Sequence, residues 1–422
     1  MKYKKTTLPN GLRIITVPTK GNPAVTVMTV VETGSDYESK DINGLSHFLE
    51  HMCFKGTTNR SSALEINKEL DGLGARTNAF TGEELTGYYA KAEKKHFKKI
   101  LDVISDLYLN PTFPSVELEK EKGVILQEMS MYEDLPQHKV SEIYKELMYG
   151  DSAYGRTILG LSENIKGFKR EDFVTYREKH YVAKATVVIV AGDLKEKAII
   201  AEINKRFKNI STQKKHLREK FKESQSSPNL SIHHKKTDQT HIVMGFRAFS
   251  AKDKRNTTMA VAASVLGRGM SSRLFQKLRE EMGVCYYVRS GVDDYSNRGS
   301  FVISTGVDKK RTEEVIKVLL EECKKLKNEL VSSEELQKTK DYIIGNLYMG
   351  LETTDSLADF YVGQEIIQGK IKTPQEIEKA IRKITTKDIQ KVAKEIFQNK
   401  NLNLAIVGEI KDEKKIKSAL SL

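Results

Sequence analysis

The residues best suited to chemistry lie within residues 44–52, which read GLSHFLEHM. His47 and His51 are four residues apart, so on a helix both imidazoles lie on one face, one turn apart. Two imidazoles placed in this way can bind one Zn²⁺. Glu50 lies beside them, where a carboxylate can take a proton from the attacking water and pass it to a leaving amine. The H-x-x-E-H pattern therefore predicts a zinc-dependent hydrolase.

A catalytic zinc site needs a third protein ligand and keeps one position open. Candidates in the acidic segment 115–133 are Glu117, Glu119, Glu121, Glu128 and Glu133. Glu121 and Glu128 are seven residues apart, two helical turns, and so lie on nearly the same face. One of them could bind the metal while the other orients a ligand or a water molecule. Spacing alone leaves both assignments open.

Local sequence patterns predict the elements that position these side chains. A helix is expected at about 42–54, with Asp41 or Asn43 as its N-cap. Further helices are expected at about 94–109 and 115–133, the second of which carries the acidic candidates. Strands are expected at 12–17, 24–34 and 86–92.

The chain is composed of two related halves. Residues 165–194 align without a gap with residues 381–410, and Asp172 falls on Asp388. Both segments show a helix-period stretch, a turn and a β-rich run, which tandem duplication explains better than coincidence. We therefore predict an α+β fold of two homologous α/β-layered halves, each a mixed sheet with helices packed on it.

The domain boundaries follow from one polar, charged segment with the composition of a linker, residues 211–228. The prediction is an N-terminal zinc-binding peptidase domain at 1–210 and a homologous C-terminal domain at 229–422. Because the second half contains no H-x-x-E-H, one zinc ion per chain is expected.

Composition narrows the class of protein further. Cys53, Cys285 and Cys323 are odd in number and far apart, which argues against a disulfide framework and favours a reducing compartment. The N-terminus shows no apolar run typical of a signal peptide, and no segment approaches the roughly 20 apolar residues of a membrane helix. A cytoplasmic protein without membrane association is expected. The net charge of +13 comes without any nucleic-acid-binding module, so no nucleic acid is expected as a partner.

Nearly the whole chain resembles the pitrilysin-type inverzincins, zinc metallopeptidases that include insulysin and the mitochondrial processing peptidases. Within this family, the chain most resembles the bacterial members that are similar to processing peptidases. The resemblance is carried by LPNGLRI near the N-terminus, HFLEHMCFKGT (47–57), ARTNAFTGEELTGYYA (75–90), EKGVILQEM (121–129), YGRTILG (154–160) and SSRLFQKLREEMGVCYYV (271–288).

This resemblance implies roles that spacing left open. In the family, 76 residues separate the third zinc ligand from the second motif histidine, and in this chain that position is Glu128. Glu121 then matches an acid that supports the metal site. The strand with Asn78, Ala79 and Phe80 is implied to pair its backbone with an extended peptide, and Asn78 to add a side-chain hydrogen bond. By its own sequence context, Asn78 could equally be a turn residue.

Two residues of the second half complete the implied site. Arg279 and Tyr286 match the family's Arg/Tyr pair, which contacts the substrate carbonyl near the zinc. A guanidinium and a phenol hydroxyl are suitable donors to a developing oxyanion. Without the resemblance, Arg279 would be interpreted as a surface cation on a helix and Tyr286 as an ordinary strand residue.

The predicted function is a zinc-dependent endopeptidase that hydrolyses short or unfolded peptides, with Glu50 as general base. The resemblance also implies a homodimer that encloses a chamber. The alternative is a catalytically silent partner subunit of a heterodimeric processing peptidase. Such subunits typically lack motif residues, whereas this chain keeps all of them.

Overall fold

A computed structural model describes residues 2–221 and 223–422. Met1, in the predicted N-terminal domain, and Lys222, in the predicted linker, lie outside the described residues. Across the described ranges, no helix is both long enough and apolar enough to cross a bilayer.

The described residues form eleven β-strands and fifteen α-helices, joined by loops and by short 3-10 and π-helical segments. The strands are β1 (Lys4–Thr7), β2 (Arg13–Pro18), β3 (Ala24–Val31), β4 (Arg76–Thr81), β5 (Thr86–Glu93), β6 (Thr186–Gly192), β7 (Asn229–His233), β8 (Gln239–Ala248), β9 (Cys285–Asp294), β10 (Gly299–Asp308) and β11 (Leu402–Val407). The helices are α1 (Leu45–Cys53), α2 (Ala63–Gly72), α3 (Phe97–Leu109), α4 (Ser115–Asp134), α5 (Pro136–Tyr149), α6 (Ser162–Gly167), α7 (Arg170–His180), α8 (Glu196–Phe207), α9 (Asn256–Gly267), α10 (Thr312–Asn328), α11 (Ser333–Met349), α12 (Thr354–Gly363), α13 (Pro374–Arg382), α14 (Thr386–Ile396) and α15 (Glu413–Ala419).

The chain divides into two compact units, each assembled from three segments. The first comprises Met1–Ser130, Ser152–Lys220 and Gly350–Ile366, and the second Met131–Asp151, Phe221–Met349 and Ile367–Leu422. In consequence α5 packs on β7, β8 and β11 of the second unit, and α12 packs on β2, β3 and β6 of the first. The predicted contiguous halves did not include this exchange of helices, and the boundaries 1–210, 211–228 and 229–422 stay a prediction.

The first unit is built on a six-stranded mixed sheet in the order β1-β2-β6-β3-β5-β4. Only β2 and β6 run parallel, and every other neighbouring pair is antiparallel. The interior strand β6 is buried along its whole length, as its nearly unbroken apolar run predicts. Strand β4 lies at the end of the order, and among the described residues of this unit it pairs only with β5, which leaves its other edge unpaired there.

The second unit repeats this topology. Its five-stranded sheet has the order β7-β11-β8-β10-β9, with β7 and β11 parallel and the other pairs antiparallel. Strand for strand, this matches β2-β6-β3-β5-β4. The helices preceding β6 and β11 begin alike, because Asp172 accepts from the Lys169 backbone N–H and Asp388 from that of Thr385, each at 2.8 Å. The prediction of two homologous halves is confirmed.

Part of the predicted linker belongs to the first unit. Residues up to Lys220 are assigned to it, and Arg218 donates to the buried carboxylate of Asp36 at 2.9 Å and also pairs with Glu84. The polar composition of this segment predicted a linker, but its Arg218 pairs with two buried acids of the first unit.

The core of the first unit holds α1 in one orientation. Phe48, Leu49 and Met52 on one face of this helix are completely buried. Burial of each such side chain contributes about 1.5–3 kcal/mol. The helical period then turns His47 and His51 to another face, away from the centre of the core.

Candidate metal centre

Helix α1 begins later than predicted. Residues Lys40–Ile42 form a 3-10 turn, and Gly44 takes the N-cap position with φ +101°, in the left-handed region. A Cβ at Gly44 would also lie 2.8 Å from Cα of Gly160, so both conformation and space require glycine here. The prediction that Asp41 or Asn43 caps the helix was wrong.

A buried carboxylate from outside the helix serves as the cap instead. Glu38 is 2% exposed, and it accepts hydrogen bonds from the backbone N–H groups of Gly44 at 2.8 Å and Ser46 at 2.6 Å. The side-chain amide of Asn43 also donates to it, at 3.0 Å. Burial raises the pKa of Glu38, and these hydrogen bonds oppose the rise. The negative charge lies where the helix dipole favours it, directly before the turn that carries His47.

Three of the predicted side chains converge on one point. The Nε2 atoms of His47 and His51 each lie 3.7 Å from Oε2 of Glu128, which projects from α4. One ligand atom from each of the three residues lies within 4.8 Å of the other two. The two imidazole rings are 4.7 Å apart between centroids, so they share one helix face as their spacing predicted.

The donor set fits a single zinc ion. The 3.7 Å separations are too long for hydrogen bonds. Tetrahedral zinc with bonds of about 2.0–2.1 Å would hold its ligand atoms about 3.3 Å apart, close to the 3.7 Å between Glu128 and each histidine. Burial and the neighbouring His51 lower the pKa of His47 to about 4, so its imidazole is neutral and can ligate at neutral pH. A neutral imidazole, a second imidazole and a carboxylate form a ligand set that zinc accepts.

Glu121 is not one of the three converging residues. It contacts His51 on the side of the ring opposite Glu128. Its Oε1 lies 2.8 Å from Nδ1 of His51, and its Oε2 lies 2.5 Å from Nζ of Lys55. Burial raises the pKa of Glu121, but the hydrogen bonds to His51 and Lys55 outweigh it and hold the pKa below its usual value. Sequence reasoning missed Lys55, since a lysine just after a helix is ordinarily a surface cation.

The surroundings of His51 are negative. Burial lowers the pKa of this histidine, but the hydrogen bond to Glu121 and the charges of Glu121, Glu50 and Glu128 together raise it above its usual value. The same three carboxylates would favour a divalent cation in place of a proton.

Glu50 lies beside the converging ligands without being one of them. Burial raises its pKa, which makes it a stronger proton acceptor than an exposed glutamate. The hydroxyl of Thr81, at the end of β4, donates to Oε2 of Glu50 at 2.5 Å. Sequence reasoning placed Thr81 in the strand expected beside the metal but missed this contact, because no local pattern links a strand threonine to a helix glutamate.

The predicted substrate strand is an edge strand. Asn78, Ala79 and Phe80 lie within β4, so Asn78 is a strand residue and not a turn residue. The side-chain oxygen of Asn78 accepts from the backbone N–H of Ala79 at 2.9 Å. The ring of Phe80 covers Gly87 on β5, where an added Cβ would lie 2.3 Å from the ring. Pairing of this strand with a peptide stays a prediction.

Arg279 and Tyr286 lie in the second unit and contact each other there. Arg279 belongs to a π-helical segment, Phe275–Glu281, and its guanidinium donates to the backbone carbonyl of Tyr286 at 2.8 Å. It also lies 5.4 Å from the centroid of the Tyr286 ring, and that tyrosine is 73% exposed. Their role at an oxyanion stays a prediction.

Comparison with known proteins identifies the family. Residues 13–161 match the family described as Insulinase (Peptidase family M16), and residues 167–343 match the Peptidase M16 inactive domain. An uncharacterized zinc protease of Bacillus subtilis (strain 168), YmxG, is 33% identical over 397 residues, 93% of this chain and 95% of that protein. The chain belongs to peptidase family M16. This confirms the resemblance to the pitrilysin-type metallopeptidases.

Other proteins match this chain over nearly the same length. An uncharacterized zinc protease of Rickettsia felis is 33% identical over 402 residues, 95% of this chain and 96% of that protein. A protease from Helicobacter pylori has the same fold, with a TM-score of 0.89 at 21% identity over 97% of this chain and 99% of that one. A Pseudomonas fluorescens structure described as a peptidase M16 inactive domain also has a TM-score of 0.89, at 17% identity and the same coverage.

Proposed function

We propose that this chain is a zinc-dependent endopeptidase in which His47, His51 and Glu128 hold the metal and Glu50 is the general base. The observation that carries the proposal is the convergence of the three ligand atoms beside Glu50, whose carboxyl lies close enough to His51 and Glu128 for their charges to shift its pKa. The naming of the relatives as zinc proteases supports it.

The chain's own residues supply the proton transfers. Zn²⁺, when bound, supplies the Lewis acidity that lowers the pKa of water and polarises the scissile carbonyl. Glu50 takes a proton from the attacking water as its oxygen bonds to the carbonyl carbon. The same carboxyl then gives this proton to the amine nitrogen as the C–N bond breaks. Glu121 holds the His51 ring in place during both steps.

Substrate binding is proposed at the unpaired edge of β4. Backbone pairing with Asn78, Ala79 and Phe80 requires an extended peptide, so short or unfolded chains fit and a folded protein does not. Arg279 and Tyr286 are proposed to donate hydrogen bonds to the oxyanion. Exposure of the Tyr286 side chain supports a role in contacting substrate.

The proposed assembly is a homodimer that encloses a peptide-binding chamber. The proposed location is the cytoplasm, which the free thiols of Cys53, Cys285 and Cys323 support. The proton transfers proposed for Glu50 depend neither on the homodimer nor on the location.

The second candidate function is a catalytically silent subunit of a processing peptidase. The complete set of His47, Glu50, His51 and Glu128 favours the active enzyme. Metal analysis combined with cleavage profiling of a peptide library tests the two functions. We expect one zinc per chain and cleavage by the purified protein alone. A folded, zinc-loaded protein that cuts no peptide would favour the silent subunit.

A further inference from the structure

We propose that Thr81 is a positioning residue that fixes the Glu50 carboxylate relative to the substrate-binding strand. This inference rests on the proposed function, because Thr81 would orient Glu50, the proposed general base. It starts from one side-chain contact between β4 and α1, in which the Thr81 hydroxyl donates to Oε2 of Glu50.

The position of Thr81 is set by the sheet. Its backbone pairs with Thr86, and the preceding Phe80 pairs with Gly87, both on β5. Strand β5 is held on its other side by β3, and Thr86 and Gly87 are buried. The hydroxyl of Thr81 therefore projects from a residue whose backbone is paired in the sheet.

The hydrogen bond from Thr81 occupies one of the two carboxylate oxygens of Glu50. Thr81 holds Oε2, and within the described ranges Oε1 has no hydrogen-bond partner, which leaves Oε1 to receive the proton of the attacking water. The terminal torsion of a glutamate is broad, so without the hydroxyl the carboxylate plane is free to rotate. The hydrogen bond gives it one orientation, and bonds to charged acceptors are the stronger kind.

The same strand is proposed to hold the peptide. Asn78, Ala79 and Phe80 immediately precede Thr81 on β4, so the strand that aligns the substrate also holds the base. A peptide in register with β4 would then have its scissile bond at a constant offset from Glu50. A misplacement of about 1 Å at such a site can lower the rate about 100-fold.

Other threonine hydroxyls in these strands have a different partner. Thr86 donates to the backbone carbonyl of Thr33 at 3.0 Å, and Thr77 to that of Tyr89 at 2.9 Å. Those contacts stabilise the sheet. Thr81 differs from Thr77 and Thr86 because its hydroxyl contacts a carboxylate on a helix, which points to a role beyond stabilising the sheet.

The experiment compares Thr81→Val, which keeps the shape and loses the hydroxyl, with Thr81→Ser, which keeps the hydroxyl. Zinc content, thermal stability, kcat and KM for a fluorogenic peptide are measured for both. We expect T81V to keep one zinc per chain and a KM near that of wild type while kcat falls about 10- to 100-fold. T81S should recover kcat to within a few-fold. Thr186→Val, which removes a β6 hydroxyl that donates to the backbone carbonyl of Val182 at 2.9 Å, is the matched control and should lose stability without losing kcat.

Three results would overturn the proposal: wild-type kcat in T81V, equal losses in T81S and T81V at full zinc occupancy, or a loss confined to KM. A crystal structure of zinc-loaded T81V tests the positioning by a route that does not need activity. We expect its Glu50 carboxylate to rotate or to occupy more than one orientation. An unchanged Glu50 side chain would refute the role of Thr81, whereas absence of cleavage by the wild-type protein would refute the proposed function.

Discussion

Nδ1 of His51 and Oε1 of Glu121 lie 2.8 Å apart, in a hydrogen bond that joins α1 to α4. A histidine that donates from Nδ1 to a carboxylate keeps the lone pair of Nε2 free, and metal-binding histidines usually have such a partner. Nε2 of His51 is the atom that faces Glu128. The hydrogen bond therefore distinguishes the two acids of α4, because Glu121 holds Nδ1 of His51 whereas Glu128 faces Nε2.

The two acids of α4 should differ in their effect on metal retention. Glu128→Gln removes one of the three proposed protein ligands, whereas Glu121→Gln removes only a partner of His51, a change that typically weakens metal binding about 10- to 100-fold. After dialysis against a graded series of chelator concentrations, zinc content should fall first in E128Q. Equal zinc content in both variants throughout the series would contradict the assignment.

Glu50→Gln should abolish peptide cleavage while zinc stays bound. The amide is nearly isosteric but cannot accept the proton, and general-base catalysis typically contributes about 10²- to 10⁴-fold. Cleavage of a fluorogenic peptide and zinc content are measured on the same preparation. Glu119→Gln, at an exposed position on α4, is the matched control and should cleave at the wild-type rate. Wild-type cleavage by E50Q would show that another group is the base.

Glu38→Ala should destabilise the first unit, because it leaves the buried N–H groups of Gly44 and Ser46 without an acceptor. We expect a loss of about 2–3 kcal/mol in the free energy of unfolding. Zinc affinity should fall too, since His47 lies in the turn that Glu38 caps. Urea unfolding measures the first effect. Glu65→Ala, whose carboxylate accepts from the exposed Ser61 N–H, should cost less than about 1 kcal/mol. Equal costs for the two variants would exclude a special role for Glu38.

Acid should destabilise the protein partly through His180. Burial, with the charges of His216 and Lys179, lowers the pKa of this histidine to about 3, and its Nδ1 lies 3.1 Å from the hydroxyl of Thr33. Between pH of about 6.5 and 3 the unfolded chain binds a proton that the folded one does not, so stability falls as pH falls. His180→Asn removes this proton.

The measurement is the free energy of urea unfolding at pH 7 and pH 5. Wild type should lose about 2 kcal/mol more than H180N over this interval, because the remaining titrations are common to both proteins. Equal losses would mean that His180 is not kept neutral by the fold.

The proposed homodimer predicts a solution mass of twice the 47.8 kDa chain. Light scattering at micromolar concentration measures it, and it should be repeated with zinc-free protein because assembly and metal binding need not be coupled. A mass near 47.8 kDa under both conditions would exclude the homodimer.

Much of the fold and the centre of the site could be predicted because the relevant patterns are local. The placement of His47, Glu50 and His51 on one face of a helix depends only on the helical period. The duplication was visible because α7 with β6 and α14 with β11 are continuous segments with matching caps. Local sequence patterns likewise predicted the ends of α3 and α4 to within a few residues.

Contacts between distant segments were decided only by the tertiary structure. Thr81 reaches Glu50 across 31 residues and Glu121 reaches His51 across 70, and no periodicity relates such positions. The N-cap of α1 was predicted wrongly for the same reason, since its acceptor comes from Glu38 and not from the helix flank. The exchange of α5 and α12 between the units likewise depends on which sheet buries each apolar face.

The family and the type of fold could be read from the amino-acid sequence, and so could the candidates for metal binding and proton transfer, because these depend on residue type and short-range spacing. Only packing could show that Glu128 faces both histidines, that Glu121 holds His51, and that the Thr81 hydroxyl donates to Glu50. Those assignments depend on distances of a few ångströms between side chains that only packing brings together.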